Sequence, residues 1–274
     1  MVTFSAATQS PVAGLALGGG RFARNRVIAS ASIEAVGGPD GVTRLPVLAS
    51  QVPLVLRRTP SAVYVVGGAA GPLGGDSLSL RIAVGAGAFL RVRTAAASIA
   101  LPGLDGLESV LRVSATVGEG GRLEYLPEPT VVTAGARHAT LVSVTLESGA
   151  SLVLRDEVLL GRHGESGGTA TSVLQVSYAG RPLLRQSLSV SGTDPASLGP
   201  AVLAGYRAVG TLLYVNESDV ADRSARATPE VAVMPLAGPG TLVTALAHDA
   251  VTLRRRLDGT EARRTALSDN PATP

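Results

Sequence analysis

Most of this 274-residue chain alternates apolar and polar residues with a period of two. Stretches such as "SLSLRIAV", "VLRVSATV" and "TLVSVTL" are typical of strands that bury one face. Glycine-containing turns separate them, as in "AVGAGAFLRV", "TVGEGGRLEY", "TLESGASLVL" and "SYAGRPLLR". The turn glycines at positions 87, 120, 149 and 180 are spaced 33, 29 and 31 residues apart. This weak repeat predicts a mainly β protein in which stacked antiparallel hairpins form a sandwich or a solenoid-like scaffold.

The composition supports one folded unit with few helices. Hydrophobic residues make up 45% of the chain and charged residues 16%, so a large core can be buried. We predict a single β-rich domain over residues 1–267, followed by a disordered tail at 268–274. Two short helices are expected in the C-terminal third, near 195–207, after the N-cap residue Asp194, and near 246–257.

Several functional classes are disfavoured by composition. The chain has no cysteine, which excludes disulfides, thiolate metal sites and a cysteine nucleophile. The net charge is +3, and the basic residues are scattered without interleaved aromatics, so no nucleic-acid partner is expected. No apolar stretch predicts a membrane span and no signal peptide is evident, so we expect a cytoplasmic protein without membrane contact. The mean hydropathy of +0.30 indicates a surface that a partner covers.

The stretch "GPLGGDSLSL" at 71–80 suggests three interpretations: a phosphate-binding loop, a catalytic acid on a loop, or a turn into a strand. A phosphate loop would need a Lys and a Ser or Thr followed by a helix, and here a strand pattern follows. We therefore predict a tight turn in which Asp76 caps backbone N–H groups.

The octet "GRHGESGG" at 161–168 contains a G-x-S-x-G pattern centred on Ser166. A nucleophile elbow would need a following helix, whereas a strand-like stretch follows here. The octet also resembles the serine segment of trypsin-like proteases, and "RTAAAS" resembles their histidine segment. Ala97 occupies the histidine position and Glu165 the usual Asp position, so the general base is missing.

The three histidines, His138, His163 and His248, lie far apart in sequence and lack metal-ligand spacing. His163 shares a glycine-flanked polar loop with Arg162 and Glu165. This loop is therefore the stronger candidate for a functional role.

Three ordered segments resemble one known family. "GPLGGDSLSLRIAVGAGAFLRVRT", "LEYLPEPTVVTAGAR" and "LLGRHGE" occur in the order and at the distances shown by the urease accessory protein D family (UreD). The resemblance covers residues 60–190 well and the flanks more loosely. "VAGLALGGGRFARNRVIASAS" and "PLVLRR" are similar to the family's N-terminal strands.

This resemblance implies a scaffold and chaperone for nickel insertion rather than an enzyme. Members of the family bind apo-urease and urease accessory protein F, which recruits the GTPase urease accessory protein G. Nickel would pass through the protein transiently, and no cofactor would be tightly bound.

The resemblance also directs attention to particular side chains. Asp76, His163 and Glu165 are expected to contact nickel transiently along its path. Arg162 is expected to pair with a carboxylate, and Thr94 to lie beside a polar path. Two alternatives remain open, namely an all-β serine hydrolase using Ser166 and a protein-interaction module without a metal.

Overall fold

The alternating segments form two facing β-sheets. The computed structural model describes residues 26–217 and 225–259. The strands in chain order are β1 (Ile28–Gly37), β2 (Thr43–Ala49), β3 (Leu54–Arg58), β4 (Val63–Gly67), β5 (Ser77–Val84), β6 (Phe89–Thr94), β7 (Ser98–Ala100), β8 (Ser109–Val117), β9 (Arg122–Leu126), β10 (Thr130–Val132), β11 (Arg137–Leu146), β12 (Ser151–Leu160), β13 (Thr169–Tyr178), β14 (Arg181–Ser191), β15 (Ala208–Val215), β16 (Arg226–Ala227), β17 (Val231–Pro235) and β18 (Thr241–Ala247). The helices are α1 (Pro195–Leu198) and α2 (Ala250–Asp258).

The order of strands explains the repeat. Sheet A has the order β14-β13-β11-β8-β5-β1-β2. Sheet B has the order β16-β17-β18-β15-β12-β9-β6-β4-β3, with β10 paired to β12 and β7 paired to β10. The units β5–β6, β8–β9 and β11–β12 each cross from sheet A to sheet B, and successive units pair with one another in parallel. The prediction of a mainly β, solenoid-like stack is confirmed.

The pairing inside the repeat differs from the predicted antiparallel hairpins. The turns at Gly87, Gly120 and Gly149 have φ of +62°, +63° and +73°, and each joins strands in opposite sheets, so these units are β-arches. The turn at Gly180 joins β13 to β14 in a true antiparallel hairpin at the edge of sheet A. An arch and a hairpin share the same alternation and turn glycine, so the sequence pattern does not distinguish them.

The core lies between the sheets because every second side chain points inward. On β5, for example, Leu78, Leu80, Ile82 and Val84 are all buried. Each such buried aliphatic side chain stabilises the fold by roughly 1.5–3 kcal/mol. The inward parity of each strand therefore identifies which residues face the interior and which face outward.

The helices are displaced from their predicted bounds. α1 ends at Leu198 instead of continuing to 207, because turns follow it directly. α2 begins four residues later than predicted, since Leu246 belongs to β18 and Asp249 caps the helix by accepting the Thr252 N–H. Neither helix has the length and apolar character that crossing a membrane requires, as judged on the described residues. The predicted tail at 268–274 lies outside the described residues, and the single-domain boundary stays a prediction.

Candidate functional site

The residues predicted from the sequence lie at one end of the stack, opposite the turn glycines. Asp76 directly precedes β5, Thr94 ends β6, and the loop at 161–168 follows β12. Parallel strands of sheet A begin at this end and strands of sheet B finish there. We call this the upper end. The fold therefore brings together segments that are up to about 90 residues apart in sequence.

Asp76 is a buried carboxylate that organises the upper end. Its Oδ1 accepts the Val27 N–H at 2.9 Å and its Oδ2 accepts the Leu73 N–H at 2.9 Å. It thus ties the start of β1 to the turn before β5. The prediction that Asp76 caps backbone N–H groups is confirmed.

Glu165 closes its loop through Arg162. The Arg162 Nε donates to Glu165 Oε2 at 2.8 Å, and the Ala134 N–H donates to Oε1 at 3.2 Å. The Arg162 guanidinium and these N–H donors hold the pKa of Glu165 well below its usual range, at about 2. Arg207 donates to the carbonyls of Leu160, Arg162 and Glu165 from the other side. The expected pairing of Arg162 with a carboxylate is confirmed, and it is internal to the loop.

Tight backbone packing also holds this loop. A Cβ on Gly168 would lie 2.2 Å from the Ala136 carbonyl oxygen and 2.5 Å from that of Thr133. His163 lies exposed at the tip of the loop, so its imidazole is open to a ligand. Among the described residues, no hydrogen bond joins Ser166 to a histidine, so the geometry does not favour the serine-hydrolase alternative.

Thr94 has a structural partner as well. Its Oγ1 accepts the Glu128 N–H at 2.8 Å. Glu128 in turn binds Arg254 on α2, with Oε2 and Nη1 2.7 Å apart. Thr94 therefore positions the "LPEP" segment against the C-terminal helix.

A charged network fastens α2 to the outer face of sheet B. Glu157, whose side chain is 0% exposed, binds Arg254 directly and lies 3.4 Å from the Arg155 Nε. Burial lowers the pKa of Arg155, while the nearby carboxylates oppose that shift. Glu128 completes the network at its more exposed side.

The sequence reasoning missed a buried serine–histidine pair at the upper end. Ser109 Oγ lies 2.8 Å from His138 Nδ1, and Thr140 Oγ1 lies 3.3 Å from His138 Nε2. The Ser109 hydroxyl donates to the Arg137 carbonyl at 3.3 Å, so it accepts from Nδ1–H and leaves Nε2 to accept from Thr140. Burial lowers the pKa of His138 to about 4, so the ring is neutral at physiological pH.

A hydrogen bond between the two sheets, from Ser172 to Asp156, was also not predicted from the sequence. Asp156 points inward on β12, since its alternate neighbours Leu154 and Val158 are core residues. It accepts a hydrogen bond from the Ser172 hydroxyl on the facing sheet. Burial raises the pKa of Asp156, and the Ser172 hydrogen bond opposes that shift.

These polar side chains occupy adjacent positions on the inner faces of the two sheets. Thr140 and Ser172 are register partners on β11 and β13, so the histidine cluster lies beside the residue that donates to Asp156. We call Ser109, His138, Thr140, Ser172 and Asp156 the polar band. Apolar core clusters lie on either side of it. One sequence signal was available, because three consecutive charged residues in "VLRDEVLL" cannot all face solvent on a central strand.

The polar band is not a preformed metal centre. Over residues 26–217 and 225–259, no three His, Cys, Asp or Glu side chains are grouped to hold an ion. The oxygen and imidazole groups of the band suit weak, transient contact with a borderline cation better than tight storage.

Comparisons with known proteins agree with these observations. The family model described as "UreD urease accessory protein" matches residues 29–274. A protein of Frankia alni named "Urease accessory protein UreD" is 44% identical, over 91% of this chain and 95% of the relative. "Urease accessory protein UreD 3" of Streptomyces griseus is 48% identical, over 84% of this chain and 93% of the relative. The chain therefore belongs to the UreD family of urease accessory proteins.

Proposed function

We propose that this protein is a scaffold and chaperone for nickel insertion into apo-urease. Its direct partners would be apo-urease and urease accessory protein F, and the GTPase urease accessory protein G would join through F. In this proposal the protein works in the cytoplasm, performs no catalysis and holds no cofactor tightly. Membership of the UreD family carries the proposal, because its relatives are named for their role as urease accessory proteins.

Nickel would be a transient cargo, and the upper end supplies candidate contacts. His163 is the open ligand of the predicted set, since its imidazole is exposed. Asp76 and Glu165 already accept two or more N–H groups, so each would have to exchange a hydrogen bond to touch a cation. Their place in the nickel path stays a prediction.

The polar band supports passage through the interior. Asp156 supplies a carboxylate between the two sheets, and His138 supplies a neutral imidazole whose Nε2 lone pair faces only a hydroxyl. Oxygen and imidazole donors suit a divalent cation of borderline softness. A path that binds weakly at each step releases its cargo readily.

The test is urease activation in cells that lack this gene, at limiting nickel. Wild-type protein should restore activity, and Asp156→Asn should restore less of it at equal expression. Asp40→Asn is the matched control, because Asp40 forms an exposed pair with Arg44 far from the band. Full activation without the gene would contradict the proposal.

Two further measurements address the alternatives. If the protein captures urease subunits but activates them equally at all nickel concentrations, the interaction module without a metal is favoured. Labelling of Ser166 by a fluorophosphonate would instead favour the serine hydrolase.

A further inference from the structure

The outer face of sheet B carries an unusual concentration of arginine between β3 and β9. On these strands Leu56, Val63, Val92 and Leu123 are core residues, so the alternate residues point away from the interior. The outward residues that matter here are Arg57, Tyr64, Phe89, Arg91, Arg93 and Arg122. We call these six residues the basic face.

Strand register places these side chains in rows. Arg57 is the partner of Tyr64, and Tyr64 is the partner of Arg93. Neighbouring strands lie about 4.8 Å apart, so the backbones of Arg57 and Arg93 are about 10 Å apart with Tyr64 between them. On the neighbouring strands β6 and β9, Phe89 is the register partner of Arg122.

Two of the four arginines already share one counter-charge. Arg91 and Arg122 share the buried carboxylate of Glu124, with Arg122 Nη2 at 2.8 Å. Both guanidinium groups also lie over the Phe89 ring, at 5.4 and 5.6 Å from its centroid. The two guanidinium groups therefore shield part of the Phe89 ring, and the residue stays 39% exposed.

The other two arginines lack a counter-charge. Among the described residues, neither Arg57 nor Arg93 is in an ion pair, and the Arg93 Nε is buried without a hydrogen-bond acceptor. A buried donor without an acceptor is destabilising. A carboxylate accepts two parallel bonds from a planar guanidinium, so a partner's carboxylate would supply acceptors to the accessible N–H groups of these arginines.

We propose that the basic face docks an acidic surface of a partner protein, whose Asp or Glu side chains reach Arg57 and Arg93. Charge complementarity carries this choice, since among the described residues four arginines of the face stand against the one carboxylate of Glu124. The face also carries two aromatic rings, Phe89 and Tyr64, on which a base could stack, so a nucleic acid is the competing outcome of the test. The inference rests on the proposed function only in taking the partner to be a protein.

The experiment uses the full chain and a short labelled poly-L-glutamate peptide, with binding followed by fluorescence anisotropy. The double variant Arg57→Gln/Arg93→Gln should bind about tenfold more weakly than the wild type at near-physiological salt. Arg81→Gln/Arg185→Gln is the matched control, because it removes the same charge from exposed positions on sheet A. The control should bind as the wild type does. Arg57→Lys/Arg93→Lys keeps the charge and should recover part of the affinity.

Three outcomes would overturn the proposal: an equal loss in both double variants, no saturable binding by the wild type, or tighter binding of a polyuridylate of the same length. The last result would assign the face to nucleic acid. The assay contains neither nickel nor urease, so its failure is distinguishable from failure of the proposed function. Thermal unfolding of each variant confirms that the fold is retained.

Discussion

The carboxylate of Asp156 on β12 accepts a hydrogen bond from the hydroxyl of Ser172 on β13, which joins the two sheets through the interior. A carboxylate between sheets loses hydration, and burial raises its pKa accordingly. An apolar side chain at this position would fill the core without that loss of hydration. The presence of the carboxylate there is consistent with the nickel path proposed above.

Asp156→Asn should therefore stabilise the protein while weakening urease activation. The folded-state pKa of Asp156 is raised, so its ionisation disfavours the fold increasingly as pH rises past the unfolded-state value. The amide removes that cost and can still accept from Ser172. Thermal unfolding at neutral pH should show a higher midpoint. A lower midpoint together with lost activation would point to a purely structural carboxylate.

The buried histidine predicts acid sensitivity. The pKa of His138 is lowered to about 4, whereas an unfolded histidine titrates near 6.5. The neutral His138 ring therefore contributes fully to the free energy of unfolding above pH 6.5. That contribution declines as the pH falls toward 4, because the unfolded chain takes up the proton first. Between pH 7 and pH 5 the wild type should lose roughly 2 kcal/mol through this group.

The check is urea unfolding of His138→Gln at both pH values. Glutamine keeps hydrogen-bonding capacity toward Ser109 and Thr140 but does not titrate. The pH dependence of the free energy of unfolding should shrink in this variant. Identical pH dependence in the variant and the wild type would contradict the assignment.

Replacing the two glutamates of the charged network should lower stability by unequal amounts. Glu157→Gln should lower the free energy of unfolding by roughly 3 kcal/mol, because the buried Arg155 and the partly buried Arg254 would lose their shared carboxylate. Glu128→Gln should cost less, since the Glu128 side chain is 35% exposed and water can replace it. Urea denaturation of both variants measures the difference. Equal losses would show that burial does not set the strength of the network.

In the loop at 161–168, replacing two different glycines with alanine should lower stability by different amounts. Gly168→Ala should cost at least about 2 kcal/mol, because its Cβ would overlap two carbonyl oxygens. Gly164→Ala should cost about 1 kcal/mol, since Gly164 has φ of +72° but open space around it. Thermal unfolding ranks the two. The reverse ranking would mean that the loop moves to accommodate the methyl group.

Part of the candidate site was predictable from local sequence. A carboxylate beside glycines ahead of a strand indicates a capped turn, and Asp76 forms one. Arg162 in its glycine-flanked loop was expected to pair with a carboxylate, and the structure identifies that carboxylate as Glu165. Each prediction succeeds because the partners are close in the chain or are backbone groups.

The polar band and the basic face could not be predicted in this way. Ser109 and His138 are 29 residues apart, and Arg57 meets Tyr64 and Arg93 through two different pairings. Such contacts depend on which strands are neighbours and on their register, and a shift of one residue would turn every side chain to the other face.

The sequence by itself determined the strands, the turn glycines, the β class and the family, because alternation, turn chemistry and ordered motifs are local properties of the chain. Tertiary structure decided that the repeated units are arches rather than hairpins, and it thereby sent consecutive strands to opposite sheets. That choice follows from burial, since two sheets facing each other remove both sets of apolar side chains from water. It also brought Asp156 opposite Ser172 and left the arginines of sheet B on an outer face.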